Sequence, residues 1–152
     1  VFVRRVSTQE LEENNDMRAL VTGFICAQTA KKISFEQLQQ LQGLIDAMDT
    51  FLRGHHYQNN IKFHDALLEA ADHQRAASIY YQLVAQSNLA RKIVLSNHEH
   101  MIASNSEHRD ILEAVVDGNT ESARKSGQAH LKQGDKRFQQ QPVPDFNSVD
   151  TA

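Results

Sequence analysis

The stretch EHRDILEAVVDGNTESARKSGQAH, residues 107–130, decides the fold of this chain. Its first half repeats apolar residues at helical spacing, and Gly118 is the kind of residue that ends a helix. Asn119 or Thr120 can then cap a second helix. The stretch therefore predicts two antiparallel helices joined by a short turn.

Helix signals recur along the rest of the chain. Ser7 with Glu10, and Ser34 with Gln37, have the spacing of capping boxes that begin two helices. Apolar periodicity then predicts helices over about 8–31, 35–53, 57–71, 74–97, 101–117 and 120–140. We predict an all-α fold, an antiparallel bundle of about six helices with an internal cavity for a metal or ligand.

Composition narrows the class of protein. A chain of 152 residues is long enough for one domain with a real core. The formal charge of -3 gives no basic footprint for nucleic acid in this chain. A single cysteine, Cys26, excludes an internal disulfide and is typical of a reducing cytoplasm. No apolar run has membrane-spanning length and no signal peptide is visible, so we expect a cytoplasmic protein without a membrane partner.

Three of the eight histidines lie on the inward-facing stripes of predicted helices. Asn60 precedes His64 by one turn and projects from the same face. His108 and His130 lie eleven residues before and after Asn119, so the hairpin brings them to the same height. The pattern predicts a metal site in the bundle core. Three imidazoles suit Zn, Ni, Co, Cu or Fe, with Zn or Ni favoured.

Open positions on such a metal could be filled by a carboxylate or a hydroxy acid. Arg18 lies among apolar residues of the first helix, and its guanidinium is suited to grip a carboxylate. Ser104, one turn before His108, would face the same cavity. Simpler interpretations stay open: a surface Arg18 that pairs with nearby carboxylates, an ordinary helical Ser104, and histidines that are satisfied core residues.

The remaining histidines have other expected roles. His55 and His56 follow Gly54 in a predicted loop and are expected to be solvated. His73 lies at a helix end, where capping is the expected role. His100 could just reach the inner face of its helix. No Asp or Glu stands out near the site as a general base, because Asp65 is turned away from the face that carries the metal ligands.

These residues resemble a known family. Phe63-His64-Asp65-Ala66-Leu67, the run from Glu107 to Ala114, and Ala129-His130-Leu131 are similar to the FCD domain. That domain is the effector-binding, C-terminal half of FadR-type GntR transcriptional regulators. The resemblance covers about residues 7–140, and six helices would indicate the VanR-like subgroup.

The resemblance implies a divalent metal held by one Asp and three His, a small carboxylate effector at or near that metal, and a cytoplasmic homodimer. Carried over by position, the metal ligands are Asn60, His64, His108 and His130. Asn60 stands where the family usually has Asp. Arg18 matches an arginine that some members aim at the effector, and Ser104 matches a small hydroxyl position beside the site.

The family also has an N-terminal winged helix-turn-helix that this sequence lacks. Residues 1–6 resemble the end of the wing or its linker, residues 7–140 the FCD domain, and residues 141–152 a flexible tail. We therefore expect a part of a longer regulator that contacts operator DNA only through the missing domain.

The resulting hypothesis is an effector-sensing and dimerisation domain, not an enzyme. Two alternatives are open. One is a structural dimerisation module with no metal, and the other is a metal-dependent hydrolase in which an open metal position activates water.

Overall fold

The computed structural model describes residues 7–50 and 53–141, without the side chains of residues 53 and 54. Within these ranges the chain is helical and has no strand, which confirms the predicted all-α class. The helices are α1 (Thr8–Lys32), α2 (Phe35–Met48), α3 (Arg53–Ala71), α4 (Gln74–Ala85), α5 (Asn88–Val94), α6 (His98–Val116) and α7 (Thr120–Gln139). The predicted wing segment, 1–6, and residues 142–152 of the predicted tail lie outside the described residues.

Both predicted capping boxes are confirmed. The Ser7 hydroxyl accepts from the Glu10 N–H at 3.1 Å, and the Glu10 carboxylate accepts from the Ser7 N–H at 2.9 Å. Ser34 and Gln37 make the same pair of bonds at 3.2 and 3.0 Å. Each box satisfies backbone donors that a helix start would otherwise leave unpaired, so the starts of α1 and α2 follow from local sequence.

Asparagine side chains begin the last two helices. Gly118 lies in the turn between α6 and α7 with a φ of 65°, a conformation that favours glycine. The side-chain oxygen of Asn119 accepts from the Ser122 N–H at 3.0 Å. The sequence allowed either Asn119 or Thr120 as the N-cap of α7, and the structure shows that it is Asn119. Asn97 caps α6 in the same way, so that helix begins at His98, three residues before the predicted start.

The predicted fourth helix, 74–97, is divided in two at Ser87. The Asn14 amide of α1 donates to the Leu83 carbonyl at 3.1 Å, and the Ser87 hydroxyl donates to the same carbonyl at 3.2 Å. These side-chain bonds use the acceptor that a continuous helix would give to the Ser87 N–H. The described residues thus form seven helices instead of about six, which removes the helix-count argument for the VanR-like subgroup.

The predicted loop after Gly54 that would carry His55 and His56 is instead helical, because α2 ends at Met48 and α3 already begins at Arg53. His55 is exposed, as predicted. The prediction for His56 is wrong: its side chain is fully buried, with Nδ1 3.3 Å from the Met48 carbonyl oxygen. The early helix start turns His56 inward toward the end of α2.

The close packing of α1 against α7 depends on glycine. A Cβ added at Gly127 would lie 2.7 Å from Cys26 Sγ, and one added at Gly23 would lie 2.6 Å from Gln128 Cγ. Neither position has space for a larger side chain without movement of its neighbour. The two glycines therefore let the helix that carries Arg18 lie against the helix that carries His130.

The apolar core lies between α1, α2, α3, α4 and α6, and Ala123 of α7 also belongs to it. Phe63 joins this core to the histidines, since its ring centroid is 4.4 Å from that of His108. None of the described helices combines the length and the apolar character needed to cross a bilayer.

Candidate metal and effector site

Three histidines from three helices meet in the interior. His64 lies on α3, His108 on α6 and His130 on α7, and each side chain is buried. The ring centroids of His108 and His130 are 4.6 Å apart, as the hairpin register predicts, and His64 lies 5.5 and 5.3 Å from them. One ring nitrogen from each histidine lies within 4.8 Å of the other two.

The spacing of these nitrogens fits a divalent transition metal. Two imidazole nitrogens bound to one Zn²⁺ at about 2.0–2.1 Å are about 2.8–3.4 Å apart for coordination angles of roughly 90–109°. Nε2 of His64 and Nε2 of His130 are separated by 3.4 Å. The cluster could therefore hold a metal with little rearrangement of these two rings.

The protonation state of the cluster also suits metal binding. Burial lowers the pKa of His64 and His108 well below the ordinary value, and the nearby His130 adds to the effect. Burial likewise lowers the pKa of His130, although Glu107 opposes this shift. Neutral rings near pH 7 leave nitrogen lone pairs available, which is the form that a metal binds.

Glu107 contacts the Nδ1 side of the His130 ring, and Arg137 in turn binds Glu107. Nδ1 of His130 lies 2.8 Å from a Glu107 carboxylate oxygen, and Arg137 donates to both oxygens of that carboxylate at 2.5 and 2.8 Å. Burial raises the pKa of Glu107, but the hydrogen bonds from Arg137 and His130 outweigh it and the net shift is downward. An ionised Glu107 accepts a hydrogen bond from Nδ1–H of His130, so the lone pair of the neutral ring is on Nε2, toward the other rings.

Asn60 lies beside the cluster with its amide nitrogen toward the rings. Its Nδ2 is 3.3 Å from Nε2 of His108, and its Oδ1 accepts from Arg91 Nη2 at 2.9 Å. The side chain is only 2% exposed. The structure thus brings the predicted fourth ligand to the site, while the oxygen that would bind a metal is engaged by an arginine.

Two arginines, the buried Arg18 and the partly exposed Arg91, line the adjacent pocket. Arg18 is 7% exposed, and its hydrogen bond is to a neutral amide, Asn15 Oδ1, at 3.2 Å. Burial and the charge of Arg91 lower the pKa of Arg18 to about 10. Within the described ranges neither guanidinium has a carboxylate as a hydrogen-bond or salt-bridge partner. The surface interpretation of Arg18 is therefore wrong. Asp135 also lines the pocket and partly offsets the positive charge there, but it is not a hydrogen-bond or salt-bridge partner of either guanidinium.

The pocket has a volume of about 70 Å³. Since a single water needs roughly 10–15 Å³ of such space, it accommodates a few waters or a ligand of a few heavy atoms. Its polar lining includes Arg18, Asn60, His64, Arg91, Ser104 and His130. Ser104, which is buried, therefore lies where the sequence predicted, beside the histidines.

Sequence reasoning missed Glu107, Arg91 and Asp135. The sequence singled out no Asp or Glu near the site as a general base, but the structure places Glu107 against His130 and Asp135 in the pocket lining. Both Glu107 oxygens are engaged, so it adds no free base for hydrolysis. Asp65 does face away, as predicted, and accepts from the Tyr81 hydroxyl at 2.8 Å.

The sequence contained a usable signal for only some of the polar residues around the histidine cluster. Arg137 follows His130 by seven residues, two helical turns, so its position on the same face was a usable signal. The sequence contained no such signal for the direction of Arg91, because Arg91 lies on the short helix that follows the unpredicted break at Ser87. Among the other histidines, the capping role of His73 is confirmed by its bond from the Ala76 N–H at 3.1 Å.

His100 does not reach the pocket. Its Nδ1 lies 3.3 Å from the Val94 carbonyl oxygen and 3.2 Å from Gln141 Nε2. The possibility that this histidine turns toward the metal cluster is therefore not realised.

Comparison with known proteins gives one family match. The model of the FCD domain family matches residues 13–133. No curated protein matches the chain. The matched range contains the histidine cluster, Asn60, Arg18 and Ser104, and it ends before Asp135 and Arg137.

Proposed function

Because the chain belongs to the FCD domain family, we propose that it senses a small carboxylate metabolite for a GntR-family transcription regulator. FCD domains have an effector-binding role in such regulators, which are generally not enzymes. One observation carries the proposal: Arg18 and Arg91 line the same pocket as His64 and His130, and within the described residues no carboxylate pairs with either arginine.

The proposed metal ligands are His64, His108 and His130, with Asn60 as a fourth group. A bound divalent ion would add positive charge and open coordination positions for a carboxylate oxygen. Zn or Ni is proposed because imidazole nitrogen suits both. The chain contributes the orientation: Glu107 accepts a hydrogen bond from Nδ1–H of His130 and so holds its Nε2 toward the other two rings.

The proposed effector is an anion of a few heavy atoms. Arg18 donates through a planar fork that matches a carboxylate, and its burial strengthens such a bond. Ser104 is proposed as a hydroxyl partner for the same ligand. The pocket volume of about 70 Å³ favours short hydroxy acids or dicarboxylates over long acyl chains.

Signalling is proposed to proceed by a population shift. An effector that binds one arrangement of the helices more tightly than another shifts their equilibrium by that difference in affinity. In a cytoplasmic homodimer this shift would reach operator DNA through an N-terminal DNA-binding domain. Exposed apolar side chains of α1, namely Met17, Leu20 and Phe24, support self-association of this domain.

The test begins with the metal content of the purified protein, measured by plasma mass spectrometry. Lactate and succinate are then titrated calorimetrically before and after removal of the metal by chelation. We expect at least one of them to bind, and chelation to abolish that binding. Arg18→Met should weaken it about ten- to a hundredfold, since a hydrogen bond to a charged group is worth about 1.5–3 kcal/mol.

Arg75→Met, an exposed arginine on α4, is the matched control and should bind like the unaltered protein. Effector binding that survives chelation would refute the metal-bridged site. His108→Ala distinguishes the structural alternative, because there it would lower stability and leave the ligand response unchanged.

A further inference from the structure

The amide of Asn60 has both of its ends engaged. The oxygen accepts from Arg91 at 2.9 Å, and the nitrogen lies 3.3 Å from Nε2 of His108. A guanidinium has only donors, so the amide end facing Arg91 must be the oxygen. The nitrogen, which cannot bind a metal, is then the end that faces the histidine cluster.

Metal binding by Asn60 conflicts with this arrangement. To turn its oxygen toward the point shared with His108, the amide must rotate by about half a turn, which would place its NH₂ group against the Arg91 guanidinium. Two donors would then face each other in a site where Asn60 is 2% exposed. Water cannot easily relieve such a contact, so the rotation requires Arg91 to move away.

We propose that Arg91 withholds the Asn60 oxygen from the metal until a carboxylate ligand draws the guanidinium away. Arg91 is then a positioning residue that makes the binding of metal and anion mutually favourable. The inference rests on the proposed function, because it assumes that the histidine cluster holds the metal.

The surroundings of Arg91 support this role. It lies on α5, a helix of two turns, and it is partly exposed, unlike Arg18. Within the described part of the chain it has no carboxylate partner that would hold it in place. Arg91 and Arg18 line one pocket and repel each other, so an anion bound there would attract Arg91 away from a neutral amide.

The test is a double-mutant cycle on metal affinity. Zn²⁺ dissociation constants are measured by competition with a chromophoric chelator for the unaltered protein, Arg91→Met, Asn60→Ala and the double variant. Removal of Arg91 should tighten Zn²⁺ binding about tenfold when Asn60 is present, the scale of one charge-assisted hydrogen bond. In the Asn60→Ala background the gain should be less than about threefold, the remainder due to lost charge repulsion.

The second measurement repeats the titrations with sodium succinate and sodium lactate against chloride at constant ionic strength. At least one carboxylate should tighten Zn²⁺ binding in the unaltered protein, and the effect should be lost in Arg91→Met. By linkage, Zn²⁺ should tighten the binding of that carboxylate by the same factor. Far-UV circular dichroism checks that every variant is folded.

The outcomes separate this inference from the proposed function. An equal gain in both backgrounds, or weaker Zn²⁺ binding in Arg91→Met, overturns the inference. So does a carboxylate effect that persists without Arg91, or no effect of either carboxylate. If His64→Ala and His130→Ala retain full Zn²⁺ affinity, the metal site itself is wrong and the proposed function fails.

Discussion

Replacing Glu107 by Gln removes one negative charge and almost no volume. The carboxylate now receives three contacts, from Nδ1 of His130 at 2.8 Å and from Arg137 at 2.5 and 2.8 Å. A glutamine has one oxygen and one NH₂ group, so its NH₂ must face a donor of His130 or of Arg137. At least one contact is therefore lost, and the guanidinium keeps no charged partner.

Glu107→Gln should lower both the affinity for metal and the folding stability, by different amounts. Loss of the partner that orients a metal-binding histidine typically lowers metal affinity about ten- to a hundredfold. Removing one member of a buried ion pair costs about 3–5 kcal/mol of folding stability. The Glu107 and Arg137 side chains are 18% and 12% exposed, so we expect a loss of folding stability at the lower end of this range, about 3 kcal/mol. A domain with a typical stability of about 5–15 kcal/mol would stay folded.

Urea denaturation of the metal-free protein gives the free energy of unfolding, and chelator competition gives the Zn²⁺ dissociation constant. Glu113→Gln is the matched control, because Glu113 is an exposed residue of the same helix. It should change neither quantity appreciably. A Glu107→Gln protein that loses stability but keeps its Zn²⁺ affinity within twofold would refute the orienting role and leave only a structural ion pair.

Three further predictions follow from packing and burial. Gly127→Ala should destabilise the protein by about 1–3 kcal/mol, because its Cβ would meet Cys26 Sγ at 2.7 Å, while Gly43→Ala, with nothing within 4 Å, should stabilise it by about 0.5–1 kcal/mol in the same urea assay. The metal-free protein should lose stability as pH falls below about 6.5, by up to about 1.4 kcal/mol per pH unit for each clustered histidine. The reason is that the pKa of each histidine is lower in the folded state than in the unfolded chain, so the unfolded chain binds more protons at acidic pH. Stability that does not change between pH 7 and pH 5 would contradict this. Burial raises the pKa of the Cys26 thiol to about 12, so a thiol reagent should react with it only at the rate of unfolding, and rapid labelling of the native protein would be the contrary result.

The helices and the histidine cluster were predictable because their signals are local. A capping box spans four residues, and the inward stripe of a helix spans a few turns, so both can be found without knowledge of the rest of the chain. The register of His108 and His130 follows from the single turn at Gly118 and Asn119. Asn60 and His64 share a face because four residues make about one helical turn.

The features that only the tertiary structure decided depend on contacts between distant residues. At the break near Ser87, the Leu83 carbonyl accepts from the side chains of Ser87 and of Asn14, which is 69 residues from Leu83 along the chain. Arg91, on the short helix that follows the break, donates to Asn60, 31 residues away. The bond between Glu107 and His130 likewise joins neighbouring helices across 23 residues. Periodicity identifies the buried face of a helix, but the hydrogen-bond partner of a polar group on that face is set by which helices pack together.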